Sequence, residues 1–180
     1  MKIEVSRVVV ARVAATLLVA LSLVATLRGD EETPVTASQS LAVNNWPQWR
    51  GPNRDGVVNG FSIPKVWPES LDRQWSVEVG QGHSSPVVAN GLVYQFSRGA
   101  DEEHIRCLKL ETGKTVWHAH YPASGGVHTA AASHGIGPKS TPVVDRGKVY
   151  TLGIGSILSC FEAKTGKLLW RKTRMIASNW

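Results

Sequence analysis

The chain has 180 residues, enough for about one domain, and its 17 glycines, 9 prolines and 7 tryptophans favour short strands and tight turns over a helical bundle. The formal net charge of +6 does not indicate a nucleic-acid partner, because half of that excess lies in residues 1–28. The remaining lysines and arginines are scattered, without the basic stripe of a nucleic-acid-binding surface. We therefore expect an all-β protein with no nucleic-acid partner.

Residues 1–28 have the pattern of a secretory signal peptide. Lys2 and Arg7 form a positively charged start, and a largely apolar run follows over residues 8–27. Signal peptides combine these features with a small-residue cleavage site. An uncleaved membrane anchor is the alternative, since about 20 apolar residues can span a bilayer, but Arg12 inside the run disfavours it. We expect export to the periplasm or secretion, with membrane contact only through an uncleaved leader.

Residues 29–45 are mostly small and polar and show no hydrophobic period, so we predict a flexible leader there. The remaining residues, 46–180, are expected to form the folded part of the chain. Within it, Trp75 is expected to lie near the end of an outer strand.

Two segments of the folded part repeat in register. Residues 84–94 align with 140–150 at an offset of 56 positions, and residues 107–117 align with 160–170 at an offset of 53. The first unit therefore carries three additional residues, which we place in the polar stretch 98–103. Internal repeats are decisive for the fold, because each unit must bury its apolar face against another copy.

Each repeated unit is predicted to contain four short strands. Asn90 and Gly91 form the preferred two-residue hairpin connection, since both central positions require positive φ. A glycine also precedes the last strand of each unit, at the left-handed position of a bulged turn. The predicted strands cover residues 86–89, 92–96, 105–110 and 114–117 in the first unit, and 157–162 and 167–170 among those of the second.

A four-stranded meander of this size is the blade of a β-propeller, which buries both faces by stacking on its neighbours. We predict blades over about residues 84–120 and 139–173. No Trp-Asp dipeptide occurs, which argues against the WD type. Because a propeller closes with about four to eight blades, we expect residues 46–180 to be an incomplete, N-terminal part of the ring. We expect the missing C-terminal part to supply further blades, and the strand around Trp75 to complete the last one.

The end of each unit resembles the tryptophan-docking motif of PQQ-like repeat β-propellers, A-x-D-x-x-T-G-x-x-x-W. The matching residues are Thr112, Gly113, Trp117, Thr165, Gly166 and Trp170. The departures are Cys107 and Cys160 at the Ala position, and Lys109 and Glu162 at the Asp position. The resemblance covers about residues 46–180 and implies that each tryptophan packs between neighbouring blades.

The same resemblance leaves two functions open. One is a non-catalytic scaffold of the cell envelope, similar to BamB-like outer-membrane assembly factors, with envelope proteins or peptides as partners. The other is a dehydrogenase that oxidises an alcohol or sugar with pyrroloquinoline quinone and Ca²⁺. Such enzymes carry a pair of adjacent cysteines beside the quinone, and this sequence contains no Cys-Cys. The scaffold is therefore the preferred hypothesis.

No catalytic residue and no metal site is predicted from the sequence. His118 and His120 share one face of a strand, yet their spacing to His128 and His134 matches no established zinc pattern.

The two cysteines are expected to be buried free thiols, because they occupy equivalent positions in adjacent blades. Arg98 and Lys139 lie near strand ends, where propeller loops bind ligands, and are the predicted ligand-facing residues.

Overall fold

The computed structural model of the chain describes residues 2–7, 45–61, 63–123 and 133–173. Most of the predicted signal peptide, residues 29–44 of the predicted leader and His128 lie outside them. The described strands are β1 (Lys2–Arg7), β2 (Asp72–Glu78), β3 (Val87–Ala89), β4 (Leu92–Gly99), β5 (Glu102–Lys109), β6 (Thr115–Pro122), β7 (Val143–Asp145), β8 (Lys148–Leu152), β9 (Ile157–Glu162) and β10 (Leu168–Thr173). Among these described residues, no helix is long and apolar enough to cross a membrane.

The two repeated units form two four-stranded antiparallel sheets. In the first sheet β3, β4, β5 and β6 are hydrogen-bonded in chain order, and in the second β7, β8, β9 and β10 follow the same order. β1 and β2 form a separate two-stranded antiparallel sheet. The predicted all-β architecture of four-stranded antiparallel blades is confirmed.

The turns follow directly from local sequence. Asn90 and Gly91 both have positive φ, at 53° and 75°, and Arg146 and Gly147 repeat this at 43° and 73°. These are the values that a two-residue hairpin with the right-handed twist of its strands requires. Arginine adopts positive φ less readily than asparagine. Arg146 adopts it nevertheless, which shows that the position in the turn, rather than the residue type, sets the backbone conformation.

The hairpin between the second and third strands is longer in the first sheet. β4 and β5 pair over eight positions, from Leu92 with Lys109 to Gly99 with Glu102, whereas β8 and β9 pair over five. The three additional residues of the first unit therefore extend this hairpin, in the stretch where the sequence alignment places them. β6 also runs beyond its predicted end to Pro122, because the longer β5 offers it further pairing partners.

The main core lies between the two sheets. Phe96 and Ile105 of the first sheet and Phe161 of the second are almost completely buried in it. Burial of each such side chain stabilises the fold by about 1.5–3 kcal/mol. Cys107 and Cys160 are both free and buried, as the sequence predicts.

The opposite face of the first sheet carries a smaller core with β1 and β2. It contains Ile3, Val79, Val93 and Leu108. β2 is the predicted strand around Trp75, and its partner here is β1, which lies within the predicted signal peptide. The prediction that β2 completes the last blade of a ring stays a prediction.

Candidate functional site

The tryptophan of the first sheet docks on the turn before the last strand of the second sheet. Trp117 Nε1 donates a hydrogen bond to the Ala163 carbonyl at 2.8 Å, and the Tyr94 hydroxyl donates to the same carbonyl at 3.2 Å. The Trp117 ring lies so close to Gly166 that a Cβ there would be 2.5 Å from ring atom Cε3. The glycine of the motif is therefore required by packing as well as by its φ of 73°.

Trp75 of β2 makes the same kind of contact with the turn before β6, the last strand of the first sheet. Its Nε1 donates to the Leu110 carbonyl at 2.8 Å, and a Cβ at Gly113 would lie 2.6 Å from its Cε3. No Thr-Gly precedes Trp75, so only the tryptophan itself signals this role in the sequence. The tryptophan of β2 therefore docks on the first sheet in the same way as the tryptophan of β6 docks on the second sheet.

We expect Gly113→Ala to destabilise the protein by about 1–3 kcal/mol more than Gly91→Ala, because forcing a methyl group into a packed contact carries that cost. Both glycines have positive φ, 68° and 75°, but the position of a Cβ at Gly91 has no atom within 4 Å. Urea unfolding of both variants measures the difference. Equal losses of stability would contradict the docking of Trp75 on Gly113.

Arg98, predicted to face a ligand, is buried between the sheets with 4% exposure. Its Nε donates to the Ala100 carbonyl at 3.1 Å, and its Nη2 lies 3.7 Å from the Asp101 carboxylate. Its cross-strand partner is Glu103, and the role of Arg98 toward a ligand stays a prediction.

Glu103, the cross-strand partner of Arg98, is fully buried. Its Oε1 accepts a hydrogen bond from the Ile154 amide at 2.7 Å, and its Oε2 has no partner. Burial raises the pKa of Glu103, and the nearby Tyr121 hydroxyl, the Ile154 amide and the charges of Arg98 and Arg171 only partly oppose this. The carboxyl thus links the first sheet to the turn after β8.

Lys139, the other predicted ligand-facing residue, lines an open cleft of about 440 Å³. The cleft lies where the first strands of the two sheets begin and where the segment around residues 46–54 crosses them. Trp46 pairs with Val88, and Pro47 accepts a hydrogen bond from the Val144 amide at 2.8 Å. The lining side chains are Gln48, Trp49, Arg54, His83, Ser85, Lys139, Ser140, Thr141 and Val143.

The chemistry of this cleft is cationic and aromatic. Arg54 donates to Gln48 Oε1 at 2.9 Å, Lys139 donates to the Gly135 carbonyl at 3.0 Å, and the Trp49 ring is 60% exposed. None of the lining residues is a carboxylate. The cleft suits a ligand that carries negative charge and accepts hydrogen bonds, while Ca²⁺, which requires several oxygen ligands, does not fit this lining.

Sequence reasoning identified Lys139 but missed the residues that complete the cleft. Trp49, Arg54 and His83 are far from Lys139 in the chain. The pairing of residues 46–47 with both sheets brings in Trp49 and Arg54, and the His83 amide donates to the Pro138 carbonyl at 2.9 Å. A signal was present in the polar and aromatic segment 46–54, which lies outside both repeats.

The sequence of this chain is similar to those of known proteins that contain the same repeat. Residues 101–178 match the family model PQQ_2, described as outer membrane protein assembly factor BamB. The outer membrane protein assembly factor BamB of Moranella endobia (strain PCIT) is 29% identical over 104 residues, covering 55% of this chain and 26% of that protein. BamB of Yersinia pestis is 27% identical over 92 residues, covering 51% of this chain and 22% of that protein. The chain thus spans about a quarter of the length of these relatives.

Solved structures with a similar arrangement include BamB from Moraxella catarrhalis, at a TM-score of 0.40 and 18% identity, covering 56% of this chain and 27% of that one. Quinohemoprotein alcohol dehydrogenase ADHIIG from Pseudomonas putida HK5 has a TM-score of 0.40 and 24% identity, covering 54% of this chain and 14% of that one. The family-model match over residues 101–178 and the curated relatives, together with the in-register repeats, show that this chain is similar to the PQQ-like repeat β-propellers.

Proposed function

We propose that this chain is part of a non-catalytic binding platform of the bacterial cell envelope that serves outer membrane protein assembly. The observation that carries the proposal is the similarity of the repeats to two curated proteins that both bear the name outer membrane protein assembly factor. The signal-peptide pattern of residues 1–28 supports an exported location. Envelope proteins or peptides are the proposed partners.

The cleft around Lys139 is the proposed contact site for such a partner. An exposed indole beside arginine and lysine side chains supplies apolar area, hydrogen-bond donors and positive charge in one place. These features are complementary to an acidic, extended peptide segment. Charge complementarity of this kind contributes to partner choice and to the association rate.

The quinone- and calcium-dependent dehydrogenase has no supporting observation in the described residues. Cys107 and Cys160 lie in different sheets and are both buried, so they do not form the adjacent pair expected beside a quinone. No carboxylate lines the cleft. Stoichiometric binding of the quinone with Ca²⁺ would favour this function over the binding platform.

We also propose that the far face of the second sheet packs against a further blade. Trp170 and Tyr150 have ring centroids 6.2 Å apart at 52°, matching Trp117 and Tyr94 at 6.0 Å and 52°. Trp117 is buried by the second sheet, whereas Trp170 is 39% exposed. An equivalent docking turn on another sheet would cover it.

The test places a photo-crosslinking amino acid at position 49, in the cleft, or at Val116, an exposed control site outside it, and expresses each variant in a Gram-negative host. We expect crosslinks to outer-membrane assembly proteins from position 49 and none from position 116. The double variant Arg54→Glu, Lys139→Glu is expected to weaken capture about tenfold or more, equivalent to about 1.4 kcal/mol. Crosslinks that do not depend on the position, or stoichiometric binding of pyrroloquinoline quinone with Ca²⁺, would refute the proposal.

A further inference from the structure

Three histidines meet on the exposed face of β5 and β6. His104 of β5 lies directly opposite His120 of β6, and His118 lies two residues before His120 on the same strand face. The ring centroids are separated by 5.1 Å (His104 to His118), 5.7 Å (His104 to His120) and 5.6 Å (His118 to His120). The sequence pairs His118 with His120, and strand pairing adds His104 to them.

These separations are slightly larger than those of three imidazoles around one ion. Nitrogen ligands at about 2.0–2.1 Å from a tetrahedral zinc ion lie about 3.3 Å from each other, and their ring centroids lie about 5 Å apart. His104 Nδ1 and His118 Nε2 are already 3.0 Å apart. We propose that His104, His118 and His120 bind a divalent transition-metal ion, with zinc as the best fit, on the outer face of β5 and β6.

The second nitrogens of two of the rings have the partners that metal-binding histidines require. His104 Nε2 lies 3.4 Å from the Gly99 carbonyl, which can only accept, so this arrangement leaves Nδ1 for the metal. Glu102 Oε2 lies 3.0 Å from His120 Nδ1 and leaves Nε2 of that ring for the metal. A carboxylate or backbone carbonyl on the far nitrogen is the usual support of a metal-bound histidine, because it fixes the tautomer and ring orientation.

Two charges near the cluster bear on the affinity for a cation. Arg106 lies opposite His118 on β6, but its Nη1 donates to the Glu78 carbonyl at 2.7 Å. Glu102 supplies the nearby negative charge.

The site closes by a movement of side chains. As they stand, no three His, Cys, Asp or Glu side chains in the described part of the chain surround a common ion position. His104 and His118 already face each other, and the side chain of His120 is 54% exposed, so it can turn to complete the set. Three histidines leave a fourth position for water or a partner's ligand. A bound ion would cross-link β5 and β6 of the first sheet through their side chains.

The test is calorimetric titration of the untagged, chelator-treated full chain with zinc chloride. We expect one ion per chain, a loss of at least about 100-fold in affinity in His118→Ala and in His120→Ala, and a loss of about tenfold in Glu102→Gln. His83→Ala, which removes an exposed histidine of the cleft, is the matched control and is expected to bind as the unaltered chain does. Cobalt in place of zinc is expected to give the absorption of a four-coordinate ion.

Absence of zinc binding by the unaltered chain would overturn the proposal, as would His118→Ala or His120→Ala binding with undiminished affinity or His83→Ala abolishing the binding. Thermal unfolding of each variant without zinc checks that it is folded. Because the cluster and the cleft are separate, failure here leaves the proposed function untouched.

Discussion

Replacing Trp117 with alanine is expected to lower the free energy of unfolding by about 3–5 kcal/mol, the usual range for a buried aromatic side chain. The indole is 9% exposed, fills the space above Gly166 and donates to the Ala163 carbonyl. Its removal therefore leaves a cavity between the two sheets and a carbonyl that has lost one of its two donors. Urea unfolding followed by circular dichroism measures the loss.

Trp170→Ala is the matched control for this prediction. Trp170 occupies the same place in the second unit and makes the equivalent contact with Tyr150, but it is 39% exposed. We expect this change to cost about 1 kcal/mol, because partial burial leaves less apolar area to lose. A loss for Trp117→Ala no larger than that for Trp170→Ala would show that the docking contact does not join the sheets.

Stability is expected to depend on the pH through Glu103. The folded protein holds the pKa of this buried carboxyl above its ordinary value of 4.5. Between the two values the folded state binds more protons than the unfolded state, so the free energy of unfolding decreases as pH rises. The stabilising contribution is fully present below pH 4.5 and is lost as the pH rises through the raised pKa.

Glu103→Gln is expected to remove this part of the pH dependence, because the amide retains an oxygen for the Ile154 amide and does not ionise. Glu103→Ala is also expected to remove this pH dependence, and in addition to cost about 1–3 kcal/mol below pH 4.5, since the Ile154 amide loses its acceptor. Urea unfolding over a series of pH values measures both, with Glu111→Gln in an exposed turn as the control. A Gln variant with the same pH profile as the unaltered chain would contradict the assignment.

The local features of the fold were predictable from the sequence because each depends on neighbouring residues. Asn90 and Gly91 adopt positive φ in a two-residue turn, and the strand predicted over residues 157–162 is β9 as observed. The repeat of two units also predicts that their sheets are alike, since equal sequence at equal spacing demands equal backbone geometry. The other strands of the units differ from the prediction only at their ends: β5 and β6 are extended where they pair with each other, and β3 begins one residue later.

The candidate sites were predictable only in part. Lys139 lies in the cleft, but Arg98 carries a charge that no local pattern places inside the protein. Its burial depends on the second sheet, which covers the β4–β5 hairpin and lies more than forty residues further along the chain. His104 likewise joins His118 and His120 only through the register of β5 with β6.

The sequence by itself determined the class of fold, the two in-register units, their turns and the residues of the docking motif. These depend on backbone preferences and on side-chain alternation, which act within a few residues. The tertiary structure alone decided that Trp75 docks on Gly113, that Arg98 is covered, and that Trp49 and Lys139 share a cleft. Each of these depends on which sheet faces which, and therefore on burial between segments that are distant in the chain.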